Sequence, residues 1–152
     1  MSSLMIGEDI VAACSGIISA KKQQGPFSLD LTVKEISKVS SGGALDFGGG
    51  EFSQAAATIL EPEKKSAEEP YGWWKLGPGV YLLSFNETIQ FQQPAIIVIL
   101  PHSRLVAAGA SHAPIAIENL DKDVCVLLQV GSEGLSVKQN ARVSTAIVLN
   151  AK

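Results

Sequence analysis

The chain has 152 residues, of which 46% are hydrophobic and 18% charged, and its formal net charge is -3 at pH 7. This length suits one domain, residues 1–152, that is large enough to bury its own core. Lysines and arginines are scattered and the balance is acidic, which argues against nucleic acid as a partner. No apolar run approaches the roughly 20 residues that span a bilayer, so we expect no membrane association.

The compartment is predicted from the N-terminal segment and the cysteines. Residues 10–18 are apolar but follow two acidic residues instead of a basic segment, so a signal peptide is not expected. Cys14 and Cys125 are far apart and lack metal-ligand spacing, which favours two buried, reduced thiols. We therefore expect a cytoplasmic protein without a protein-held metal site.

The first predicted element is a short helix over residues 5–20. Glu8 and Asp9 lie near its amino end, where the helix dipole favours negative charge. Apolar residues from Ile10 to Ile18 fall on one stripe, and Gly25-Pro26 ends the helix.

Three strands are predicted next, over residues 27–39, around Leu45 and Phe47, and within 52–60. Residues 27–39 alternate between apolar and polar side chains, which predicts one core face and one polar face. The glycine triplet 48–50 indicates a hairpin loop, because no Lys-Ser/Thr or helix follows it to cradle a phosphate. Residues 61–70 place mixed charges between prolines, which predicts a solvated loop.

An aromatic cluster follows at Tyr71, Trp73 and Trp74. A tryptophan pair of this kind can stack on a ligand base. We expect it instead to fill a core edge or a subunit contact.

The second half contains seven predicted strands, over residues 80–85, 88–92, 95–100, 114–118, 124–130, 135–138 and 143–149. Residues 95–100 form an unbroken apolar run that predicts a strand buried on both faces and closed by Pro101. Turn signals at regular spacing, with helix only at the start, predict an all-β jelly roll or β-barrel.

Three segments carry a resemblance to a known family. The central one contains, in order, Pro78-Gly79-Val80-Tyr81, Asn86-Glu87, the apolar run, and Pro101-His102-Ser103-Arg104-Leu105 through Gly109. The flanking ones are Pro26-Phe27-Ser28-Leu29-Asp30-Leu31 and the closing Ala141-Arg142-Val143. Together they resemble the dUTPase and dCTP deaminase superfamily, especially microbial dUTPase-like members. The resemblance implies a distorted jelly roll with a short N-terminal helix, a homotrimer with sites at subunit boundaries, and a pyrimidine deoxynucleoside triphosphate as ligand.

The resemblance also implies candidate ligand-binding residues. In the family, phosphates are held by an Arg-Ser-Ser-Leu-x-Arg loop and by the closing strand. The matching positions here are His102, Ser103, Arg104, Arg142 and Thr145. His102 and Arg104 replace the usual arginine and serine, and Thr145 replaces a glutamine. Each lost charge-stabilising contact typically raises a reaction barrier by about 3 kcal/mol.

The catalytic carboxylate of the family has no clear counterpart. Glu118 lies one place beyond the expected position, and Asp121 is the other candidate if the loop is shortened. Residues 119–123 otherwise resemble an ordinary polar turn.

Three functions stay open from the sequence. The leading hypothesis is a homotrimeric superfamily protein, related to dUTP and dCTP metabolism, that binds nucleotide but has lost its standard catalytic set. The second is an active dUTP diphosphatase or dCTP deaminase with Glu118 or Asp121 as base, and activity would bring Mg2+ as cofactor. The third is an assembly module without a small ligand. The hypotheses thus include both an enzyme and a protein without catalysis.

Overall fold

The computed structural model of the protein describes residues 2–151, and in this range it is mostly β-structure. Three short helices are present within that range, namely α1 (Gly7–Ala12), α2 (Ala20–Gln23) and α3 (Ser103–Ala107). Its thirteen strands are β1 (Ser2–Leu4), β2 (Cys14–Ser15), β3 (Leu29–Ser41), β4 (Ala56–Ile59), β5 (Trp73–Leu76), β6 (Gly79–Phe85), β7 (Thr88–Ile89), β8 (Ala95–Pro101), β9 (Ala110–His112), β10 (Ile115–Ile117), β11 (Cys125–Val130), β12 (Leu135–Lys138) and β13 (Arg142–Ala151).

One sheet organises the described chain. Seven of its nine strands follow the order β10-β8-β13-β3-β6-β11-β9, while β1 joins β13 and β4 joins β3. The long strand β3 is shared, because its first residues pair with β13 and its later residues pair with β6 and β4. Two small antiparallel pairs, β5 with β12 and β2 with β7, lie outside this sheet. The expected all-β architecture is therefore confirmed.

The core is built from the inward-facing side chains of these strands and of helix α1. Its largest fully buried apolar members include Ile10, Leu29, Leu31, Ile36, Leu83, Ile97, Ile99 and Leu128. Strand β8 buries Ala95, Ile97 and Ile99 but leaves Ile96 45% exposed. The prediction that residues 95–100 are buried on both faces is thus wrong for the single chain.

The outward face of β8 continues across the sheet. Leu149 of β13 is 40% exposed and lies directly opposite Ile96, and Ile147 lies opposite Val98. Leu4 of β1 is 45% exposed and pairs with Leu149. These residues form an apolar outer face that is unpartnered in the single chain.

The predicted helix over residues 5–20 is wrong beyond Ala12. Cys14 and Ser15 form strand β2 on β7, and Gly16 turns the chain with a φ of 85°. A Cβ at Gly16 would lie 2.3 Å from the carbonyl oxygen of Asn86, so the chain there is shaped for a glycine. Ile18 is 53% exposed and does not extend the apolar stripe.

The region around Leu45 and Phe47 is a projecting loop instead of the predicted strand. Its backbone makes one bridge, between Ala44 and Ser53. The carboxylate of Asp46 accepts the backbone N–H groups of Gly49 and Glu51 at 2.9 and 2.8 Å, which fixes a turn. Phe47 is fully exposed at its tip.

The other strand predictions are confirmed with shifts of a few residues, except that 88–92 shortens to Thr88–Ile89. Trp74 is buried at 4% exposure and donates its indole N–H to Leu60 O at 3.0 Å, as expected of a core residue. Among the described helices, none has the length and apolar character needed to cross a membrane.

Candidate functional site

Helix α3 begins directly after β8, where the sequence suggested only a loop. His102 caps it, because its Nδ1 accepts the backbone N–H of Arg104 at 3.0 Å. Leu105 is 5% exposed and anchors the helix on the core. Ser103 and Arg104 consequently lie on the exposed side of the first turn.

Three of the predicted ligand-binding residues converge on one carboxylate. Asp30 Oδ2 lies 3.2 Å from His102 Nε2 and accepts a hydrogen bond from Arg142 at 3.3 Å. Asp30 Oδ1 accepts the hydroxyl hydrogen of Thr145 at 3.1 Å. Since His102 Nδ1 already accepts a backbone N–H, the proton of the neutral ring lies on Nε2, which donates to Asp30.

Asp30 is the residue that sequence reasoning missed. It reaches the group because β3 lies beside β13, with Asp30 directly opposite Thr145. The signal was present, since Asp30 belongs to the first-strand segment of the family resemblance. The alternation of apolar and polar residues over 27–39 predicted only that Asp30 lies on a polar face.

A cavity of about 450 Å³ adjoins this group and is here named the cationic cavity. Its polar wall carries Lys22, Arg104, Lys138 and Arg142, and no carboxylate is among its described lining residues. Its apolar wall includes Leu105, Val137 and Val143, which are buried. This volume lies within the range of about 300–1,000 Å³ that is typical of small-molecule sites.

Arg142 connects the cavity to the N-terminal segment. Besides its bond to Asp30, its guanidinium donates to the backbone oxygen of Lys22 at 2.8 Å. Its charge is therefore partly compensated by Asp30, whereas no salt bridge within residues 2–151 compensates Arg104 or Lys138. The arrangement can hold an anionic group at a site with an apolar side.

A buried polar network is hydrogen-bonded to the wall of the cavity. Glu87 is 1% exposed and accepts the backbone N–H of Thr32 at 2.8 Å, the Thr32 hydroxyl at 2.5 Å and the Gln23 amide at 3.0 Å. Asn86 donates to the side chain of Asn140 at 3.0 Å, and Asn140 lines the cavity. The network links α2, β3 and the turn before β13.

Burial changes the protonation chemistry of this network. Desolvation raises the pKa of Glu87 above its usual value, although its hydrogen bonds with Thr32 and Gln23 oppose the rise. Burial, together with the nearby Glu87 charge, raises the pKa of the Cys14 thiol to about 12. Cys14 is therefore a free but unreactive thiol.

The two predicted catalytic carboxylates lie elsewhere in the described chain. Ile117 of β10 pairs with Ile97 of β8, so Glu118 lies near the start of β8, whereas α3 follows the end of that strand. Six strand residues at about 3.3 Å each separate these ends by roughly 20 Å. Asp121 accepts the backbone N–H of Asp123 at 3.0 Å, as in an ordinary turn.

Within one chain, therefore, neither Glu118 nor Asp121 joins His102, Arg142 and Thr145. Glu118 is exposed and borders a separate cleft of about 590 Å³ that includes part of the apolar outer face. Ser103 is exposed and is not among the lining residues of the cationic cavity.

The residues of one chain do not fit a resident Mg2+. No group of three His, Cys, Asp or Glu side chains suited to a metal ion occurs within residues 2–151. Mg2+ is usually held by one or two carboxylates together with substrate phosphates. The carboxylate of Asp30, which contacts the cavity residue Arg142, already accepts bonds from Arg142 and Thr145.

Comparisons with known proteins agree on one superfamily. No family model matches the chain. It is 28% identical over 128 residues to a probable deoxyuridine 5'-triphosphate nucleotidohydrolase from Methanosarcina mazei, covering 83% of this chain and 71% of the relative. A protein with the same description from Methanococcoides burtonii is 26% identical over 129 residues, covering 84% of this chain and 72% of the relative.

A solved structure shows the same fold. The crystal structure of 2'-deoxycytidine 5'-triphosphate deaminase from Agrobacterium tumefaciens matches 99% of this chain with a TM-score of 0.67 at 13% identity. The chain spans about half of that deaminase, 49% of its length. The expected dUTPase-like fold is confirmed. The sequence relatives support membership of the chain in the dUTPase and dCTP deaminase superfamily.

Proposed function

We propose that this protein binds a pyrimidine deoxynucleoside triphosphate in the cationic cavity and acts in pyrimidine nucleotide metabolism with an impaired catalytic set. The observation that carries the proposal is the convergence of Lys22, Arg104, Lys138 and Arg142 on one cavity beside the His102–Asp30–Thr145 group. Cationic side chains in a partly apolar site stabilise phosphate charge strongly. The curated relatives are described as probable dUTP nucleotidohydrolases, which supports a nucleotide as the anion.

The position of the carboxylates supports the proposed impairment. Hydrolysis or deamination needs a base within hydrogen-bond reach of the attacking water. Glu118 is separated from the cavity of its own chain by the length of β8, and Asp121 is not among the lining residues of that cavity. Asp30 is close, but its oxygens accept bonds from Arg142 and Thr145 and face His102.

The protein is proposed to work as a homotrimer of single-domain chains, residues 1–152, in the cytoplasm. The apolar outer face of β8 and β13 gives each chain a surface that a second copy can bury, as Ile96 and Leu149 are both partly exposed. A neighbouring copy would also be needed to bring Glu118 or Asp121 to a cavity. If turnover persists in such an assembly, Mg2+ would enter with the nucleotide phosphates.

Thermal unfolding tests the binding proposal. The full chain is melted with dUTP, dCTP or dTTP, each with and without Mg2+, and a ligand at 100 times its dissociation constant stabilises the native state by about 2.7 kcal/mol. We expect stabilisation by at least one nucleotide and its loss in Arg104→Ala. Lys64→Ala, which lies outside the cavity, is the matched control.

Product analysis and sedimentation complete the test. We expect no release of pyrophosphate or ammonia above the uncatalysed rate. Rapid turnover would contradict the proposed impairment and show that the protein is an active enzyme. The sedimentation mass should correspond to three chains and fall in Ile96→Lys. Absence of any thermal shift at millimolar nucleotide would reject the binding proposal.

A further inference from the structure

Trp73 is a wall of the cationic cavity that the nucleotide-binding proposal leaves unused. It is half-buried, lies on β5 and pairs directly with Lys138 on β12. Its backbone N–H donates to Glu63 O at 2.8 Å, and its carbonyl accepts the N–H of Glu63 at 2.9 Å. The backbone that carries the indole is therefore held on both sides.

The two tryptophans have separate roles. Trp74 points into the core and has a hydrogen-bonded indole N–H. Trp73 lines the cationic cavity as well as a neighbouring cleft that contains Lys65. An aromatic ring that is fixed in place and open to a cavity offers a surface on which a planar ligand group can stack.

Both nearby lysines lie over this ring. Lys65 Nζ is 4.3 Å from the ring centroid and belongs to the neighbouring cleft, whereas Lys138 Nζ is 5.7 Å away and lines the cationic cavity. The Lys138 contact is close to the limit of about 6 Å for a cation–π interaction. We expect a phosphate bound in the cavity to draw the Lys138 ammonium away from the ring, because the attraction between opposite charges exceeds a cation–π contact at this distance.

We propose that Trp73 is the base-binding residue of the cationic cavity, so that a nucleotide stacks its base on this indole while Arg104, Lys138 and Arg142 hold its phosphates. This inference rests on the proposed function and adds the position of the base. It requires that the ligand be an aromatic organic phosphate instead of an inorganic polyphosphate.

Intrinsic fluorescence provides the readout. The full chain is titrated with dUTP, dCTP and inorganic triphosphate, and binding is also followed by calorimetry. We expect the nucleotides to quench the emission of Trp73 and to bind more tightly than inorganic triphosphate. Trp74, at 4% exposure, should contribute an unchanged signal.

Variants separate the base from the phosphates. Base–aromatic stacking is typically lost on alanine substitution with a decrease in affinity of about 5- to 150-fold. We expect Trp73→Ala to weaken nucleotide binding by this factor without changing the affinity for inorganic triphosphate. Trp73→Phe, which keeps an aromatic ring, should retain most of the affinity, and Lys64→Ala, on the neighbouring cleft and without a cation–π contact to the Trp73 ring, is the control.

The possible failures are distinguishable. If nucleotides bind but Trp73→Ala leaves their affinity unchanged, or weakens inorganic triphosphate equally, the base-binding role is wrong and the proposed function stands. If neither nucleotide nor inorganic triphosphate binds the unmodified protein, the proposed function fails and this inference fails with it. The melting temperature of each variant shows that the fold is intact.

Discussion

Arg142 donates a hydrogen bond to Asp30 Oδ2 at 3.3 Å, and this pair joins two strands whose residues are 112 positions apart in the chain. The Asp30 side chain is 17% exposed, so the pair is largely shielded from water. We expect Asp30→Asn to lower the free energy of unfolding by about 1–3 kcal/mol, because one carboxylate oxygen becomes an amide donor facing other donors. Urea denaturation measures the change.

Thr145→Val is the matched variant for that experiment. It removes the 3.1 Å hydroxyl bond to Asp30 Oδ1 but keeps the bonds at Oδ2. Its expected cost is smaller than that of Asp30→Asn. Equal stability of Asp30→Asn and the unmodified protein would show that Asp30 does not hold the group together.

His112 predicts a loss of stability in mild acid. The ring is 3% exposed, its Nδ1–H donates to Ala113 O at 2.9 Å, and its Nε2 accepts the Ser144 hydroxyl hydrogen at 2.8 Å. Desolvation lowers the pKa of His112 below its usual 6.5. The unfolded chain therefore takes up the proton first, so stability present above pH 6.5 is lost as the pH falls through the folded-state pKa.

The slope of this loss cannot exceed about 1.4 kcal/mol per pH unit for one proton. Urea midpoints of the unmodified protein and of His112→Gln, measured between pH 7.5 and 5, isolate the contribution. The variant should lose less stability over this interval. Parallel curves would contradict the assignment.

Gly16 is predicted to be intolerant of alanine. Its φ of 85° is unfavourable for other residues, and an added Cβ would lie 2.3 Å from Asn86 O. We expect Gly16→Ala to cost at least about 2 kcal/mol. Gly48→Ala is the control, since an added Cβ there meets nothing within 4 Å, and its stability should be unchanged or slightly higher.

Trp74→Phe should destabilise the core, whereas Trp73→Phe should not. Trp74 is only 4% exposed, so the smaller phenylalanine leaves a cavity in the core. The change also removes the indole N–H that donates to Leu60 O. The expected loss is about 1–3 kcal/mol by thermal or urea unfolding. A larger loss for Trp73→Phe would reverse the roles given to the two residues.

Local patterns predicted most of the strands because alternation and β-forming side chains act within a few residues. Residues 80–85 and 124–130 illustrate this, since their inward positions are the buried ones. The helix over residues 5–20 failed because the β2–β7 pairing and the turn at Gly16 overrode the apolar stripe. Both are tertiary effects that a local window does not contain.

The candidate site was less accessible to sequence reasoning. Family resemblance pointed to His102, Arg142 and Thr145, which do meet, but their common partner Asp30 depends on a pairing over 115 residues. The cationic cavity likewise joins α2, α3 and the β12–β13 turn, and no single motif spans these elements. Glu118 and Asp121 were placed by register with the family alone. The topology separates Glu118 from the cavity, and Asp121 forms a local turn and is not among the lining residues of the cavity.

The pairing of β3 has a consequence for how the chain folds. Its first residues require β13 as neighbour, while its later residues pair with β4 and β6, which are synthesised long before β13. Contacts between residues so far apart in sequence slow folding, because the intervening loop must close first. Until residues 142–151 leave the ribosome, β3 and β8 each retain an open edge, and β13 is the strand that closes both at once.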